Sequence, residues 1–467
     1  MRDVLITLLG WAWGVGALLC LWFAVEVLRS RRQEQAMVAW LLLFALTPPL
    51  GALLYLGLGS RKLRRQAERK PRPAGRPAGP ETPGGTAIND LDHLVQAHGL
   101  PAATESNRVA FRGTAATAYD AVLELIGRAE ERLWVATYIL GADDVAGEVL
   151  RRLAQRAAEG VQVRLLIDDV GSKHVRDDAL APLIAAGGRV ARFMPISLIP
   201  RPSRYANLRN HRKIIVADRR IAWSGGMNLS EAYLGPTPAE FRFRDLSFVV
   251  EGPAAEIYAE VFAADWLFAA GEDLRAERWA APPARAAGPG VVQVVPGGPE
   301  FPGDPLHDIL LSAAYRAKRR LWIVSPYVVS DAASMKALVV AARRGVDVRL
   351  VTHRKSDTPV MDFANIPYLR VLAAAGGEAL RLREGIMIHA KALVADDDLA
   401  IAGTANLDQR SLFLNFEVMA LFHGAEEAQA IAGWIEEQFA DCDNELPPFT
   451  PVRQVAEGFV RLFAPIL

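Results

Sequence analysis

At 467 residues the chain exceeds one ordinary domain and leaves room for two or three. A composition of 51% apolar and 23% charged residues excludes a disordered or low-complexity architecture, and 53 basic residues against 53 acidic ones exclude a globally basic nucleic-acid coat or an acidic tail. The two cysteines, Cys20 and Cys442, offer neither a disulfide framework nor a Cys-rich zinc site, so any chemistry must come from other side chains.

The first elements are apolar. Val4–Val25 holds 22 residues without a formal charge and Ala36–Gly59 holds 24, each enough to cross a hydrocarbon layer about 30 Å thick. The expectation is an N-terminal transmembrane hairpin within 1–60, with segments at about 4–25 and 36–59. A cleaved signal peptide fits poorly, because Arg2 is offset by Asp3 and the apolar run is too long. Pro48-Pro49 interrupts the second run and leaves a kinked span or a re-entrant hairpin open. Arg29, Arg31 and Arg32 separate the runs, and residues 61–76 carry eight basic residues against Glu68. Two spans put the amino terminus and the main body on one side, and the positive-inside bias makes that side the cytoplasm: a multi-pass protein of the cytoplasmic (inner) membrane. The basic stretch can also attract anionic lipid or act as a topogenic signal alone.

A basic juxtamembrane and Pro/Gly linker (61–106) leads to a first unit at 107–279, a second Pro/Gly break (280–305) and a second unit at 306–467. The units repeat each other: Arg132-Leu-Trp-Val-Ala answers Arg320-Leu-Trp-Ile-Val, and Gly160-Val-Gln-Val-Arg-Leu-Leu answers Gly345-Val-Asp-Val-Arg-Leu-Val. In each, β-rich runs alternate with Ala-rich helical stretches such as VAGEVLRRLAQRAAEG, which predicts an α/β class with helices on a mostly parallel sheet and a pseudo-twofold body.

The chemistry-bearing stretch is NHRKIIVADRRIAWSGGMN, with His211, Lys213, Asp218, Gly225 and Asn228. Its partner IHAKALVADDDLAIAGTAN carries His389, Lys391, Asp396, Gly403 and Asn406, and all five positions are offset by 178 residues. On a strand, His and Lys at i and i+2 share a face, so a nucleophile and a cation meet one ligand. Small residues after the next strand admit a bulky anion, and Asn supplies an amide donor. Two such sets suit phosphodiester exchange: one imidazole attacks phosphorus, the other protonates the leaving alkoxide and deprotonates the incoming alcohol, while Lys and Asn stabilise the non-bridging oxygens. This chemistry calls for no metal and no cofactor. Asp218 and Asp396 end strands before turns, where holding their loop and Lys by local bonding competes with a direct proton-transfer role.

These residues resemble the phospholipase D superfamily, whose H-x-K-x4-D signature they match twice. From about Ser30 onward the chain is similar to the bacterial cardiolipin synthases, through TPPLGALLYLGLGSRKLRR, LRNHRK with GGMN, and GTANLDQRS with LNFE. The resemblance implies two duplicated phospholipase D-like α/β domains. It also implies His211 as nucleophile and His389 as general acid/base, a choice the symmetric sequence does not make. It further implies an acidic residue downstream of each His: Glu417 for His389, and Asp245 for His211, with a surface salt bridge as the competing reading of Asp245. Two departures stand out. Gly226 and Thr404 occupy the place where the superfamily often carries Ser, leaving a phosphate hydrogen bond in the first copy open. The stretch VVSDAAS after Tyr327 lacks the Pro-Asp often found in the synthases.

Arg201, Arg204, Arg209 and Arg212 around MPISLIP form either a lipid-touching loop or an exposed solubilising one. The C-terminal stripe of Val452, Val455, Phe459, Leu462 and Phe463 either packs on its own domain or meets the membrane. The expected activity is transfer of a phosphatidyl group between two phosphatidylglycerol molecules through a phosphohistidine, giving cardiolipin and glycerol, with anionic phospholipid as partner, no nucleic acid and no nucleotide. The rival readings are a phospholipase D hydrolase, a phosphatidyltransferase with another alcohol acceptor, a nuclease of the same superfamily, and a non-catalytic membrane scaffold.

Overall fold

The computed structural model describes residues 2–29, 34–55, 70–72, 86–195, 208–275, 287–356 and 358–461. Arg31, Arg32, most of 61–76, Arg201, Arg204, most of the MPISLIP loop, Leu462 and Phe463 lie outside them. The chain forms two compact units, Met1–Glu68 and Arg69–Leu467.

The first unit contains helices α1 (Arg2–Leu28), α2 (Glu34–Leu46) and α3 (Pro48–Leu54). Gly10–Leu28 within α1 is long and apolar enough to cross a membrane, and Trp11, Leu18, Leu21 and Trp22 of this stretch face outward. The second apolar run is not one helix. It breaks at Thr47, where the backbone leaves the helical conformation and Pro48 opens α3, because a proline cannot donate to the preceding turn and suits a first helical position. The rings of Phe23 and Trp40 lie 4.7 and 5.0 Å from that of Tyr55, closing the three helices around a small aromatic core.

The second unit is built on one 15-stranded sheet. The first repeat contributes β1 (Thr104–Arg112), β2 (Arg132–Thr137), β3 (Gln162–Asp168), β4 (Arg189–Phe193), β5 (Ile214–Ala217), β6 (Ile221–Gly225) and β7 (Ser247–Glu251). The second contributes β8 (Gly290–Gly297), β9 (Arg320–Val324), β10 (Val328–Val329), β11 (Asp347–His353), β12 (Glu378–Leu382), β13 (Ala392–Ala395), β14 (Leu399–Gly403), β15 (Leu407–Asp408), β16 (Glu417–His423) and β17 (Cys442–Asp443). Outward from the centre the orders are β1-β7-β6-β5-β2-β3-β4 and β8-β16-β14-β13-β9-β11-β12, so the repeats mirror each other about the antiparallel β1–β8 pair, and β17 extends the second edge. β10 and β15 pair separately.

The expected mostly parallel sheet is corrected to a mixed one. Among the described residues, β2-β3-β4 and β9-β11-β12 are the parallel runs in it, each joined by helical crossovers. The His-bearing chain returns through three-residue turns, Asp218–Arg220 and Asp396–Asp398, which are too short for a crossover and force antiparallel pairing of β5 with β6 and β13 with β14. The helices are amphipathic for ordinary reasons. Asp144–Ala158 is N-capped by the Asp143 side chain and buries Val145, Val149, Leu153 and Ala157 against the first repeat's core.

Two stretches expected to be linker carry structure. Helix Thr86–Ala97 buries Leu91 and Val95 in the second repeat's core, and β8 lies at the centre of the sheet. In the C-terminal helix Pro451–Arg461, Val452 and Val455 are exposed while Glu457 faces inward, paired with Arg370 at 2.6 Å and Arg453 at 2.7 Å.

Candidate active site

Each His-x-Lys lies in the extended segment before its strand, since β5 begins at Ile214 and β13 at Ala392. The backbone partners of these segments come from the opposite repeat. The His211 N–H donates to the Phe416 carbonyl (2.9 Å) and the Phe416 N–H to the Arg209 carbonyl (3.0 Å); equivalently, the His389 N–H donates to the Arg244 carbonyl and the Arg244 N–H to the Met387 carbonyl, both at 2.8 Å. Each histidine is therefore pinned beside the residue that precedes the other repeat's carboxylate.

The carboxylate pairing is crossed. Nδ1 of His211 lies 2.9 Å from Glu417, and Nδ1 of His389 lies 2.8 Å from Asp245. The expected pairing of Asp245 with His211 and Glu417 with His389 is corrected: the short cross-repeat bridges set each downstream acid against the partner repeat's imidazole. With Nδ1 turned to a carboxylate, Nε2 is left for substrate. Both histidine side chains are about 10% exposed, enough to present an edge to a ligand.

The two dyads differ. The Thr404 hydroxyl donates to Glu417 at 2.6 Å and accepts from the Val418 N–H at 2.9 Å, so the hydroxyl expected near phosphate instead serves the acid behind His211. A side chain at position 226 would put its Cβ 2.2 Å from Asp245 Oδ1, so Gly226 makes room for the shorter acid behind His389. Burial opposes ionisation of Glu417, but the His211 charge and hydrogen bond, Lys213 and Thr404 outweigh it and hold the group below the usual value. Asp245 has fewer such partners, and burial pushes it up to about 6. Burial lowers His211 to about 4 against the opposing pull of Glu417. It also drives His389 well down, helped by Lys391, Lys213 and His211, so the two halves sense one another electrostatically.

Lys213 and Lys391 are buried, and each donates to its own histidine's carbonyl, Lys213 at 2.7 Å. Burial and the neighbouring Lys391 charge lower Lys213 to about 7 against the pull of Glu417 and the more distant acids. Lys391 Nζ also stands 2.9 Å from Nδ1 of His389, so that nitrogen faces an ammonium as well as a carboxylate. Asn228 Oδ1 accepts the Ile139 N–H at 3.1 Å, while its buried Nδ2 has no protein partner; Asn406 likewise has a buried amide oxygen without one. The Asn228 Nδ2 is a donor and suits a phosphate oxygen, whereas Asn406 turns its amide N–H to Asp408 and leaves an acceptor, so its expected phosphate-binding role is corrected.

Asp218 and Asp396 are elsewhere. Asp218 accepts the backbone N–H groups of Glu130, Glu131 and Arg132 at 2.8 Å, and Asp396 those of Lys318, Arg319 and Arg320 at 2.7 to 3.2 Å. Their inclusion among the catalytic candidates is corrected, since each ties the turn after its own strand to the start of β2 or β9. Neither is hydrogen-bonded to the lysine of its own motif, Lys213 or Lys391, and positive φ angles of 51° and 55° mark these turns.

Sequence reasoning missed the walls of the site. The Tyr138 ring meets His211 edge-on at 5.1 Å, Tyr233 meets His389 at 4.9 Å, and Phe243 stacks on Tyr233. Asp168, at the end of β3, accepts the Asn210 N–H at 3.0 Å and pairs with Arg209 at 3.3 Å, bracing the segment before His211. Its place at a strand's carboxyl end was the available signal, since ligands of α/β sheets gather there.

Two matches to the family described as cardiolipin synthase, PLD-like domain, cover residues 122–266 and 310–440, and one to the phospholipase D-nuclease N-terminal family covers 18–59. The chain is 30% identical over 466 residues to a cardiolipin synthase of Geobacillus kaustophilus (strain HTA426), covering 96% of this chain and 92% of that one. It is also 30% identical to cardiolipin synthase 1 of Bacillus anthracis, covering 94% and 90%. The fold matches a phosphatidylserine synthase of Haemophilus influenzae Rd KW20 with a TM-score of 0.60 at 16% identity, over 81% of this chain and all of that one. With both repeats and nearly the whole length accounted for, the chain belongs to the phospholipase D-like cardiolipin synthase family.

Proposed function

We propose that this chain is a membrane-anchored phosphatidyltransferase that makes cardiolipin from two phosphatidylglycerol molecules. The observation that carries the reading is the crossed pair of dyads, His211–Glu417 and His389–Asp245, which makes one site out of two repeats. Nε2 of His211 attacks phosphorus and the bond to the glycerol oxygen breaks. His389 gives its proton to that oxygen and glycerol leaves. The hydroxyl of a second phosphatidylglycerol then returns a proton to His389 and attacks the phosphatidyl-His211 phosphorus, releasing the imidazole. Lys213, Lys391 and the Asn228 amide N–H stabilise the non-bridging oxygens.

The asymmetry of the dyads supports His211 as the nucleophile. Its Nδ1 faces a carboxylate held ionised, which fixes the tautomer and keeps the Nε2 lone pair available. Nδ1 of His389 faces both Asp245 and Lys391, a setting that suits a group whose proton load changes during turnover. The outward apolar face of α1 supports membrane embedding, and the basic residues flanking the spans support a cytoplasmic body in the inner membrane.

The test is lipid analysis of the purified full chain in phosphatidylglycerol vesicles. Cardiolipin and glycerol in equal amounts support the reading, with both lost in His211→Ala and His389→Ala. Phosphatidic acid as the main product indicates a hydrolase, and a product formed only with an added alcohol indicates another acceptor.

A further inference from the structure

Beneath the catalytic motif, on the side away from the imidazoles, four charged side chains are fully buried together. The Arg212 guanidinium lies 2.5 Å from Asp265 and 2.9 Å from Glu300, and Lys70 Nζ lies 2.6 Å from the same Asp265 and 2.9 Å from the same Glu300. All four have zero side-chain exposure, and the set is neutral only when Lys70 is counted. Arg72 adds a hydrogen bond from Nε to the Glu300 carbonyl at 2.9 Å.

The set is wired to the His211 dyad from both sides. Asp265 Oδ2 accepts from the Asn210 amide at 3.0 Å, and Asn210 Oδ1 accepts the Arg212 N–H at 3.0 Å, so the residues flanking His211 hang on one carboxylate. Arg212 Nε donates to the Glu417 carbonyl at 2.8 Å. The Lys70 ammonium also lies over the Phe416 ring at 4.9 Å, and the Phe416 carbonyl takes the His211 N–H. Removing Lys70 would leave two buried carboxylates sharing one guanidinium, which is strongly unfavourable because Lys70 and Arg212 are the cations paired with them among the described residues.

We infer that Lys70, in the basic stretch read from sequence as a lipid-facing or topogenic signal, is a positioning residue for the His211–Glu417 dyad, and that the catalytic body is complete only with this tether residue seated beneath it. The inference rests on the site assignment above. Its readout is separable from the lipid product, because turnover of a small chromogenic phosphodiester needs the same dyad and no second lipid.

The experiment compares full-length wild type, Lys70→Met, Lys70→Arg and the double variant Lys70→Met/Glu300→Gln on that diester and in phosphatidylglycerol vesicles. Lys70→Met is expected to lower kcat about ten- to a hundred-fold with KM little changed, because small displacements of a reacting group carry losses of that order. The double variant, which restores neutrality, is expected to recover most of kcat, and Lys70→Arg to keep it. If Lys70→Met does not fold, the double variant decides: a folded, active double variant supports charge balance at this position. Unchanged kcat in Lys70→Met overturns the inference, as does failure of the double variant to recover activity. A loss that appears only as a changed KM and a changed dependence on anionic-lipid fraction also overturns it and assigns Lys70 to lipid contact. A wild type that turns over the diester but makes no cardiolipin sinks the synthase reading and leaves the Lys70 comparison intact.

Discussion

Asp245 holds the imidazole of His389, 144 residues further along the chain and in the other repeat, at 2.8 Å. Neither repeat is therefore a complete catalytic unit, and defects in one should appear as loss of the imidazole contributed by the other.

Asp245→Ala is expected to behave like a His389 defect and Glu417→Ala like a His211 defect. In rapid-quench experiments with labelled lipid, loss of Asp245 should slow both adduct formation with its release of glycerol and transfer from the adduct to the second lipid, because His389 handles a proton in each half-reaction. Loss of Glu417 should suppress adduct formation and affect the transfer from an adduct already formed much less. Each loss should be about 10²- to 10⁴-fold, the range for a positioned proton carrier. The opposite assignment of the two phenotypes would mean that each acid serves its own repeat.

The pH profile of kcat/KM should be bell-shaped. Below about 4 the His211 imidazole takes a proton and can no longer attack phosphorus, so the rate falls with falling pH. Above about 7 Lys213 loses its charge and the rate falls again. Under saturation the alkaline limb of kcat should move upward, because a bound anionic diester favours the ammonium. An alkaline limb that stays put with substrate would argue against contact between Lys213 and phosphate.

Thermal stability should carry the same signature. His211 is lowered to about 4, so the native state resists a proton that the unfolded chain accepts, and this contribution falls as pH drops from about 6.5 to about 4. Asp245 is raised, so its contribution has the opposite slope, falling as pH rises from about 4 to about 6. Asp245→Asn should unmask the acid-side loss in a Tm series across that window.

Asp218→Ala should reduce stability by about 0.5–1.5 kcal/mol, since two of the three amides it releases are exposed and can turn to water, while the folded fraction keeps near-normal kcat. Denaturant melts alongside single-turnover rates would separate the two effects. A loss of chemistry without a loss of stability would return Asp218 to the reaction.

Gly226→Ser should drive a side chain into Asp245 and slow the steps that His389 serves. Thr404→Val should release Glu417 from its 2.6 Å hydrogen bond, raise its pKa and add an acid-side loss of adduct formation. Stopped-flow measurement of the two half-reactions over pH would distinguish the variants.

The sequence by itself determined the duplication, the equal spacing of His, Lys and Asn, and the apolar N-terminus, because these are properties of local order: strand alternation, turn residues and hydrophobic length. It did not determine which acid meets which imidazole, since a resemblance read along the chain assigns each acid to the histidine upstream of it in its own repeat. That pairing follows from docking the repeats about β1 and β8, where backbone bridges of His211 to Phe416 and His389 to Arg244 lay each segment beside its counterpart. The fate of Lys70 was hidden for the same reason. A charged side chain in a basic run reads as solvated until the fold encloses two carboxylates that need it, and only tertiary burial turns a surface charge into a structural one.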